Sequence, residues 1–201
     1  MSVPPGFQLL PAALDAATQR ALVGEVMVAL ETAPAAHYAV PRGRRMSVAM
    51  SSFGALGWVS DARGYRYSPA HPGTGKSWPA IPRTLLDLWA RLADPRVPPD
   101  ACLINLYRGE AKMGLHQDRD EADFRFPVLS VSLGDTAVFR IGGTRRGGGA
   151  ASVRLASGDV CLLAGEARLA FHGVDRILPG SSTLVPGGGR INLTLRRAAP
   201  A

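Results

Sequence analysis

The chain has 201 residues, a formal net charge of +7 and two cysteines. This length suits one packed domain and is short for two. The excess of positive charge is typical of a protein that meets a polyanion such as nucleic acid, although an inert basic surface explains it equally well. Cys102 and Cys161 stand in apolar runs, which argues against a disulfide framework and predicts buried thiols in a reducing compartment.

The N-terminus has no basic leader, and no apolar run approaches the roughly 18 residues of a membrane span. The sequence therefore predicts a cytoplasmic protein without a membrane segment, and we expect a monomer.

Two helices are predicted in the first half of the chain. Residues 14–31 place apolar side chains at helical spacing, and Pro34 closes the segment. A second helix is predicted over 82–93, where a proline suits the first helical position and Leu and Trp form an apolar stripe.

Residues 37–80 lie between these helices and are rich in Gly, Ser, Arg, Tyr and Trp, with few long apolar runs. We interpret them as short hairpins and loops, exposed and mobile. Residues 73–77 resemble the end of a phosphate-binding P-loop, but the required first glycine would fall at Ala70 and no strand precedes it. This stretch is therefore interpreted as a loop.

After residue 100 the sequence changes to short β-rich runs separated by Gly or Asp turns. The runs lie at residues 101–107, 127–133, 136–141, 159–163 and 190–196. Two helices followed by many short strands predict an all-β core with flanking helices (α+β), in which an antiparallel double sheet forms a jelly roll. We expect residues 1–201 to form a single domain with residues 100–197 as the jelly-roll core.

His116, Asp118 and His172, hereafter the triad, are the ligand types of a 2-His-1-carboxylate site, which holds non-haem Fe(II) and leaves one coordination face open. Residues two apart in an extended segment face the same way, so the first two ligands point together and His172 must come from a neighbouring strand. A His-x-Asp tripeptide alone is a weak signal, because either histidine could be an ordinary core or surface residue. His37 and His71 lie in loop-like sequence and are left outside the site.

The last predicted strand strengthens the pattern. Its polar side chains share one parity and therefore one face: Arg190, Asn192, Thr194 and Arg196. Burying two arginines inside a sheet is costly unless anions pair with them, and a guanidinium matches a carboxylate in two-point geometry. Asn105 and Tyr107 repeat the arrangement on another strand. These residues predict a dicarboxylate site beside the metal; the alternative is an exposed polar face on an edge strand.

Nine segments, taken in order, resemble the AlkB proteins, the Fe(II)- and 2-oxoglutarate-dependent dealkylases of nucleic acids. The segments are residues 46–50, 56–58, 64–69, 78–82, 99–105, 115–121, 129–134, 165–169 and 190–196. The resemblance covers about residues 40–197 and implies a double-stranded β-helix whose triad ligates iron. It also implies that Arg190 pairs with the distal carboxylate of 2-oxoglutarate, helped by Asn105 and Tyr107, while Arg196 and Asn192 hold the chelating end.

By the same resemblance, the protein is a dioxygenase with Fe(II), 2-oxoglutarate and O2. Oxidation of an N-alkyl carbon would accompany conversion of 2-oxoglutarate to succinate and CO2, and the hydroxylated base would release an aldehyde. The expected substrates are cationic bases of the 1-methyladenine and 3-methylcytosine type in single- or double-stranded DNA, with RNA as a further substrate.

A base must leave the stack to reach such a site, so the loop-rich segment 37–80 would form a nucleotide-recognition lid. Trp58 is the candidate stacking platform, unless it is an ordinary core tryptophan, and Met50 would line the same pocket. Tyr65 and Tyr67 suit phosphate or co-substrate contacts at the pocket mouth. Asp120 would add a carboxylate that favours a cationic base.

Two other functions remain as alternatives. One is a 2-oxoglutarate-dependent hydroxylase of a small molecule or a protein, against which the aromatic, basic lid segment argues. The other is a catalytically silent nucleic-acid-binding module on the same scaffold, which would have no reason to keep a complete triad and both arginines.

Overall fold

The computed structural model describes residues 2–40 and 44–200. Its helices and strands are, in chain order, β1 (Phe7–Leu10), α1 (Ala16–Thr32), β2 (Ala39–Val40), β3 (Arg44–Arg45), β4 (Ala49–Gly54), β5 (Gly57–Asp61), β6 (Gly64–Ser68), α2 (Arg83–Leu92), β7 (Ala101–Tyr107), β8 (Met113–His116), β9 (Val128–Gly134), β10 (Thr136–Gly142), β11 (Ala150–Leu155), β12 (Val160–Leu163), β13 (His172–Leu178) and β14 (Arg190–Arg196). A 3-10 helix at Gly165–Leu169 lies between β12 and β13.

Two antiparallel sheets form the core. The major sheet has the strand order β1-β12-β9-β14-β7-β4, and the minor sheet has the order β11-β10-β13-β8. Apolar side chains from both sheets meet in one cluster, including Leu103 and Leu163 from the major sheet and Phe139, Ile141 and Val174 from the minor sheet. Two facing antiparallel sheets with flanking helices confirm the predicted jelly roll.

Both helices cover the outer face of the major sheet. The side chain of Asp15 caps α1 by accepting a hydrogen bond from the Thr18 amide at 2.7 Å. Leu22 of α1 and Trp89 of α2 are fully buried in the cluster that also contains Leu193. The two helix predictions are confirmed. Pro82, which was predicted at the first helical position of α2, instead lies immediately before the helix.

The alternation of β14 divides its side chains between two environments. Ile191, Leu193 and Leu195 pack toward the helices, while the residues of the other parity face the space between the sheets. Because β14 is hydrogen-bonded to β7 on one side and to β9 on the other, it is a central strand. The alternative of an exposed polar edge is therefore wrong.

Part of the segment 37–80 forms a buried strand, which the sequence did not predict. β4 is the edge strand of the major sheet, and Met50, Ser51, Ser52 and Phe53 are buried there. The expectation of exposed hairpins and loops is therefore wrong for this strand, while the expected mobility stays a prediction; the β5–β6 hairpin stands outside both sheets. The part of the expectation that falls on residues 41–43 lies outside the described residues.

Residues 73–77 form a loop, as expected, but a buried histidine organises it. His71 accepts hydrogen bonds at Nδ1 from the Gly73 and Thr74 amides, at 3.0 and 3.1 Å. Its Nε2 therefore carries the proton and donates to the Pro34 carbonyl at 2.9 Å. The sequence analysis did not predict this structural role, because His71 lies in loop-like sequence.

Within the described residues, no helix combines the length and the apolar character that crossing a membrane requires. Cys102 and Cys161 are both buried free thiols, in agreement with the sequence.

Candidate metal and co-substrate site

The two histidines of the triad come from paired strands. β8 lies antiparallel to β13, and their register places His116 directly opposite His172. Asp118 follows two residues after the end of β8. His116 Nε2 is 3.6 Å from Asp118 Oδ1, and His172 Nε2 is 3.7 Å from Asp118 Oδ2. The candidate ligand atoms all lie within 4.8 Å of one another, which is the convergence that a single metal ion requires.

Backbone carbonyls fix the tautomers of both imidazoles. Nδ1 of His116 lies 2.9 Å from the Gly114 carbonyl, and Nδ1 of His172 lies 2.9 Å from the Ala170 carbonyl. A carbonyl can only accept, so each Nδ1 carries a proton and each Nε2 keeps a lone pair for a metal. Burial also lowers the pKa of His172 to about 4, against the opposing influence of Asp118, so this ring is neutral at pH 7.

Asp118 is present as the anion. Burial by itself would raise the pKa of this carboxyl, but the charge of Arg196 outweighs burial and holds the pKa well below its usual range. Arg196 Nη2 donates to Asp118 Oδ2 at 2.7 Å. Two imidazoles and one carboxylate are the ligand set that suits Fe(II), so the residues present fit the implied metal.

Gln117 stands between two ligands but points the other way. Its side-chain amide donates to the Leu169 carbonyl and, at 3.3 Å, to the Thr144 carbonyl. These bonds tie the His-x-Asp segment to the loop after β10 and to the end of the 3-10 helix.

An inner cavity lies behind the triad, between the sheets. It is lined by every predicted co-substrate residue: Asn105, Tyr107, Arg190, Asn192 and Arg196. Asn105 donates to Asn192 Oδ1 at 3.2 Å, and Asn192 donates to Ser130 Oγ at 2.6 Å. The floor of the cavity is therefore held by hydrogen bonds between neighbouring strands of the major sheet.

Arg190 is a buried cation whose hydrogen bonds go to neutral partners. It is 2% exposed and donates to Ser132 Oγ at 2.8 Å and to the Leu155 carbonyl at 3.3 Å. Its Nε has no hydrogen-bond partner among the described residues, and burial lowers the pKa of this guanidinium. Burying a guanidinium without an anionic partner costs free energy. Pairing with the distal carboxylate of 2-oxoglutarate would offset that cost.

Arg196 lies in a different electrostatic setting from Arg190, although the sequence analysis assigned both arginines to the co-substrate. Its Nη2 contacts Asp118, and its Nε lies 3.3 Å from Glu121 Oε1. These carboxylates, with Tyr67, raise the pKa of Arg196 against the effect of burial. The described geometry makes Arg196 a partner of the metal-binding carboxylate, and its contact with the co-substrate stays a prediction.

An outer cleft of about 390 Å³ opens on the other side of the triad. Met50, Trp58, Tyr65 and Asp120 line it, so the structure brings four of the five predicted base-binding residues together. The Trp58 ring lies 5.2 Å from the Tyr65 ring, and its Nε1 donates to Asp120 Oδ2 at 2.7 Å. His116 and Asp118 line both the cleft and the inner cavity, which therefore meet at the triad.

Tyr67 is the exception among these five residues. It lines neither space within the described structure, and its hydroxyl donates to Glu121 Oε1 at 2.6 Å. The described geometry commits the Tyr67 hydroxyl proton to Glu121, and a contact of Tyr67 with phosphate or co-substrate stays a prediction.

Two buried charged residues of the site were missed by the sequence reasoning. Glu121 lines the outer cleft, and Arg168 of the 3-10 helix donates to Glu121 Oε2 at 3.0 Å. Arg168 also donates to the carbonyls of Asp118 and Phe126, at 3.0 and 2.9 Å. Both residues lie inside segments that carried the family resemblance, but their spacing gives no sign that they meet.

Comparison with known proteins agrees with this geometry. The model of the 2OG-Fe(II) oxygenase superfamily matches residues 6–196. The chain is 66% identical over 201 residues to the alpha-ketoglutarate-dependent dioxygenase AlkB homolog of Caulobacter vibrioides, covering 100% of this chain and 91% of that protein. It is 42% identical over 190 residues to alpha-ketoglutarate-dependent dioxygenase AlkB of Escherichia coli, covering 92% and 87% of the two chains.

A solved structure gives the same result for the fold. The structure of OsALKBH1 matches with a TM-score of 0.81 at 30% sequence identity, over 98% of this chain and 99% of that one. This chain therefore belongs to the AlkB family of the 2OG-Fe(II) oxygenase superfamily, and it is a dioxygenase that depends on Fe(II), 2-oxoglutarate and O2.

Proposed function

We propose that this enzyme oxidatively dealkylates N-alkylated bases in DNA, and also in RNA, with 1-methyladenine and 3-methylcytosine as the type of lesion. The observation that carries the proposal is the outer cleft, which joins an aromatic wall to the triad. A base turned out of the stack needs a π face to lie on and a reactive centre beside it. Trp58 and Tyr65 supply the first, and His116 and Asp118 border the second.

The charge of the cleft favours an alkylated base over an ordinary one. Of the carboxylates that line it, Asp118 and Glu121 are paired with buried arginines, whereas Asp120 forms no ion pair among the described residues and is the one left to face a base. Alkylation at adenine N1 or cytosine N3 makes the base cationic, and both carboxylates and aromatic faces attract a cation. The net charge of +7 suits the phosphate backbone that carries such a base.

The chain's own residues divide the work between the inner cavity and the outer cleft. Arg190 would hold the distal carboxylate of 2-oxoglutarate, with Asn105 and Tyr107 beside it. Asn192 would lie nearer the triad, and Arg196 orients Asp118. When bound by the triad, Fe(II) supplies the activation of O2 with which 2-oxoglutarate becomes succinate and CO2.

The hydroxylated alkyl group of the product would leave as an aldehyde and restore the base. In this assignment, residues 37–80 contain the lid, of which the β5–β6 hairpin with Trp58 and Tyr65 is the base-binding part. A monomeric state and a cytoplasmic location are part of the proposal.

The alternative substrate classes are a small molecule and a protein side chain. Neither explains why an aromatic wall and the carboxylate of Asp120 stand together at the opening to the triad. Since the chain belongs to a family of dioxygenases and its triad converges, a catalytically silent binding module is not favoured.

The test is an assay of the purified protein on a single-stranded oligonucleotide that carries one 1-methyladenine. Fe(II), 2-oxoglutarate and O2 are each supplied and each omitted in turn, and mass spectrometry follows the methyl group, succinate and formaldehyde. The same sequence as RNA, and as one strand of a duplex, measures the preference among nucleic acids.

We expect demethylation that requires all three additions. Succinate without demethylation would keep the oxygen chemistry and contradict the substrate. Failure to form either product with iron bound would contradict the proposed reaction as a whole.

A further inference from the structure

The base-binding hairpin is attached to the loop that follows Asp118 at two adjacent points. Trp58 and Tyr67 are directly opposed residues on β5 and β6. Trp58 donates to Asp120 at 2.7 Å, and Tyr67 donates to Glu121 at 2.6 Å. A pair of neighbours on the hairpin therefore contacts a pair of consecutive acids in the loop.

Glu121 continues the connection toward the metal site. Its Oε1 accepts from the Tyr67 hydroxyl and lies 3.3 Å from Arg196 Nε, an ion pair without hydrogen-bond geometry. Arg196 in turn donates to Asp118 Oδ2 at 2.7 Å. A continuous chain of polar contacts thus links the hairpin to an iron ligand, and every side chain in it except Tyr67 is at least nine-tenths buried.

Charge balance shows why an acid is required at this junction. Asp118 and Glu121 are two buried anions, and Arg168 and Arg196 are the two buried cations that pair with them. Without Glu121, two guanidinium groups would face one carboxylate, which is costly in a buried setting. Arg196 would then be paired with Asp118 alone. Its stronger attraction to that carboxylate would compete with the metal for the same oxygen atoms.

We propose that Glu121 is a positioning residue that holds the base platform and the iron ligand Asp118 in a fixed relation, through Tyr67 on one side and Arg196 on the other. The part that concerns the base rests on the proposed function; the part that concerns Asp118 does not. Oxidation of one particular alkyl carbon requires a fixed placement, since an error of about 1 Å between reacting groups can cost about a hundredfold in rate.

Three variants separate positioning from general stability. Tyr67→Phe removes only the hydroxyl that bonds Glu121, and Glu121→Gln keeps the shape and removes the charge. Tyr38→Phe is the matched control, because the Tyr38 hydroxyl is buried without a hydrogen-bond partner among the described residues. The Tyr38 ring packs edge-on against Trp58 at 5.8 Å, so the control removes a hydroxyl close to the same platform.

Two readouts are used, and thermal unfolding of each variant is recorded beside them. Calorimetric titration of the metal-free protein with Co(II) measures the triad without any turnover. The amount of succinate formed per base repaired, with KM and kcat for the 1-methyladenine oligonucleotide, measures how well the base is placed.

We expect Tyr67→Phe to raise KM for the oligonucleotide about three- to tenfold, as expected for the loss of one hydrogen bond. The same variant should form more succinate per repaired base and bind Co(II) within about twofold of the wild type. Glu121→Gln should weaken Co(II) binding by about tenfold or more, the size of effect typical for partners of metal ligands. Tyr38→Phe should change neither readout.

A Tyr67→Phe protein with normal KM and normal succinate per repaired base would overturn the connection to the base. Wild-type Co(II) affinity in Glu121→Gln would overturn the connection to Asp118. If the wild-type protein repairs no oligonucleotide, the proposed function fails, while the Co(II) titrations still decide the role of Glu121 at the triad.

Discussion

The inner cavity and the outer cleft share the triad but are built by different means. The cavity is lined by strands of both sheets, and its predicted co-substrate residues come from β7 and β14, neighbouring strands whose register fixes which side chains face it. The cleft is lined in part by the β5–β6 hairpin and by the loop after β8, which are held together by side-chain hydrogen bonds. The cavity is therefore suited to one small dianion of constant shape, whereas the cleft can differ among enzymes that accept different bases.

Arg190 and Arg196 show the same contrast within one strand. Both are buried on the same face of β14. Arg196 is paired with two carboxylates of the protein, and Arg190 bonds only neutral groups. The charge of Arg196 is therefore neutralised within the folded protein, whereas the charge of Arg190 is left for an anionic ligand to neutralise.

The strongest test of the division removes the group that both regions share. We expect His116→Ala to abolish succinate formation and repair, because a metal ligand is lost. Oligonucleotide binding should largely persist, since the aromatic wall and the basic surface are intact. Both activities and the affinity, by fluorescence anisotropy, are measured beside His37→Ala, a change at an exposed histidine distant in sequence from the triad. Repair by the His116→Ala protein would contradict the assignment.

The two arginines should respond in opposite ways to substitution by methionine. Arg196→Met leaves Asp118 and Glu121 short of a cation, and we expect the free energy of unfolding to fall by roughly 3–5 kcal/mol. Arg190→Met removes an unpaired buried charge, so the protein without ligand should be at least as stable as the wild type. Urea unfolding in the absence of 2-oxoglutarate measures both.

Arg190→Met should nevertheless raise KM for 2-oxoglutarate by about 30-fold or more, because a buried charged pair typically contributes at least about 2 kcal/mol. Co(II) binding at the triad should be unchanged. If Arg190→Met destabilises the ligand-free protein as much as Arg196→Met does, the two arginines are equivalent and the contrast between them fails.

In the outer cleft, Trp58→Ala should weaken base binding without affecting the cavity. Stacking of one base on an aromatic side chain contributes about 1–3 kcal/mol, so we expect KM for the oligonucleotide to rise roughly 5- to 150-fold. KM for 2-oxoglutarate should stay at the wild-type value. Val28→Ala, at an exposed position of α1, is the control; an equal rise in both KM values for Trp58→Ala would show that the regions are not separable.

The cavity was predictable from the sequence because strand periodicity determines it. Equal parity placed Arg190, Asn192 and Arg196 on one face, and the structure puts all three in the cavity. The different ion pairing of Arg190 and Arg196 was not predictable, because it depends on Glu121. Glu121 lies in a loop, where no side-chain periodicity indicates which way a residue faces. Parity gives the face of a strand, but it does not give the partners across the space that the strand faces.

The cleft was predicted less well for the same physical reason. Trp58 and Asp120 were both assigned to it, but not the hydrogen bond between them, which joins residues 62 positions apart. β4 was missed because the serines beside Met50 and Phe53 read as exposed loop, while in the structure Ser51 donates to the Ala33 carbonyl at 2.7 Å. A serine can be buried in a strand when a neighbouring backbone group accepts its hydrogen bond, as the Ala33 carbonyl does for Ser51.

The burial of Tyr107 in the cavity predicts an effect that is seen only at alkaline pH. Burial raises the pKa of Tyr107 to about 12 from the usual value of about 10. Between pH 10 and pH 12 the unfolded chain therefore loses this proton while the folded chain keeps it, so the stability of the fold declines as the pH rises. Tyr107→Phe should reduce the steepness of that decline by about 1.4 kcal/mol per pH unit, the value for one proton. Urea unfolding from about pH 9 to pH 12 measures the slope, with Tyr65→Phe as the control, because the Tyr65 side chain is 47% exposed in the cleft. Equal slopes for Tyr107→Phe and Tyr65→Phe would mean that water reaches the cavity as freely as the cleft, and that the strands do not seal the space behind the triad.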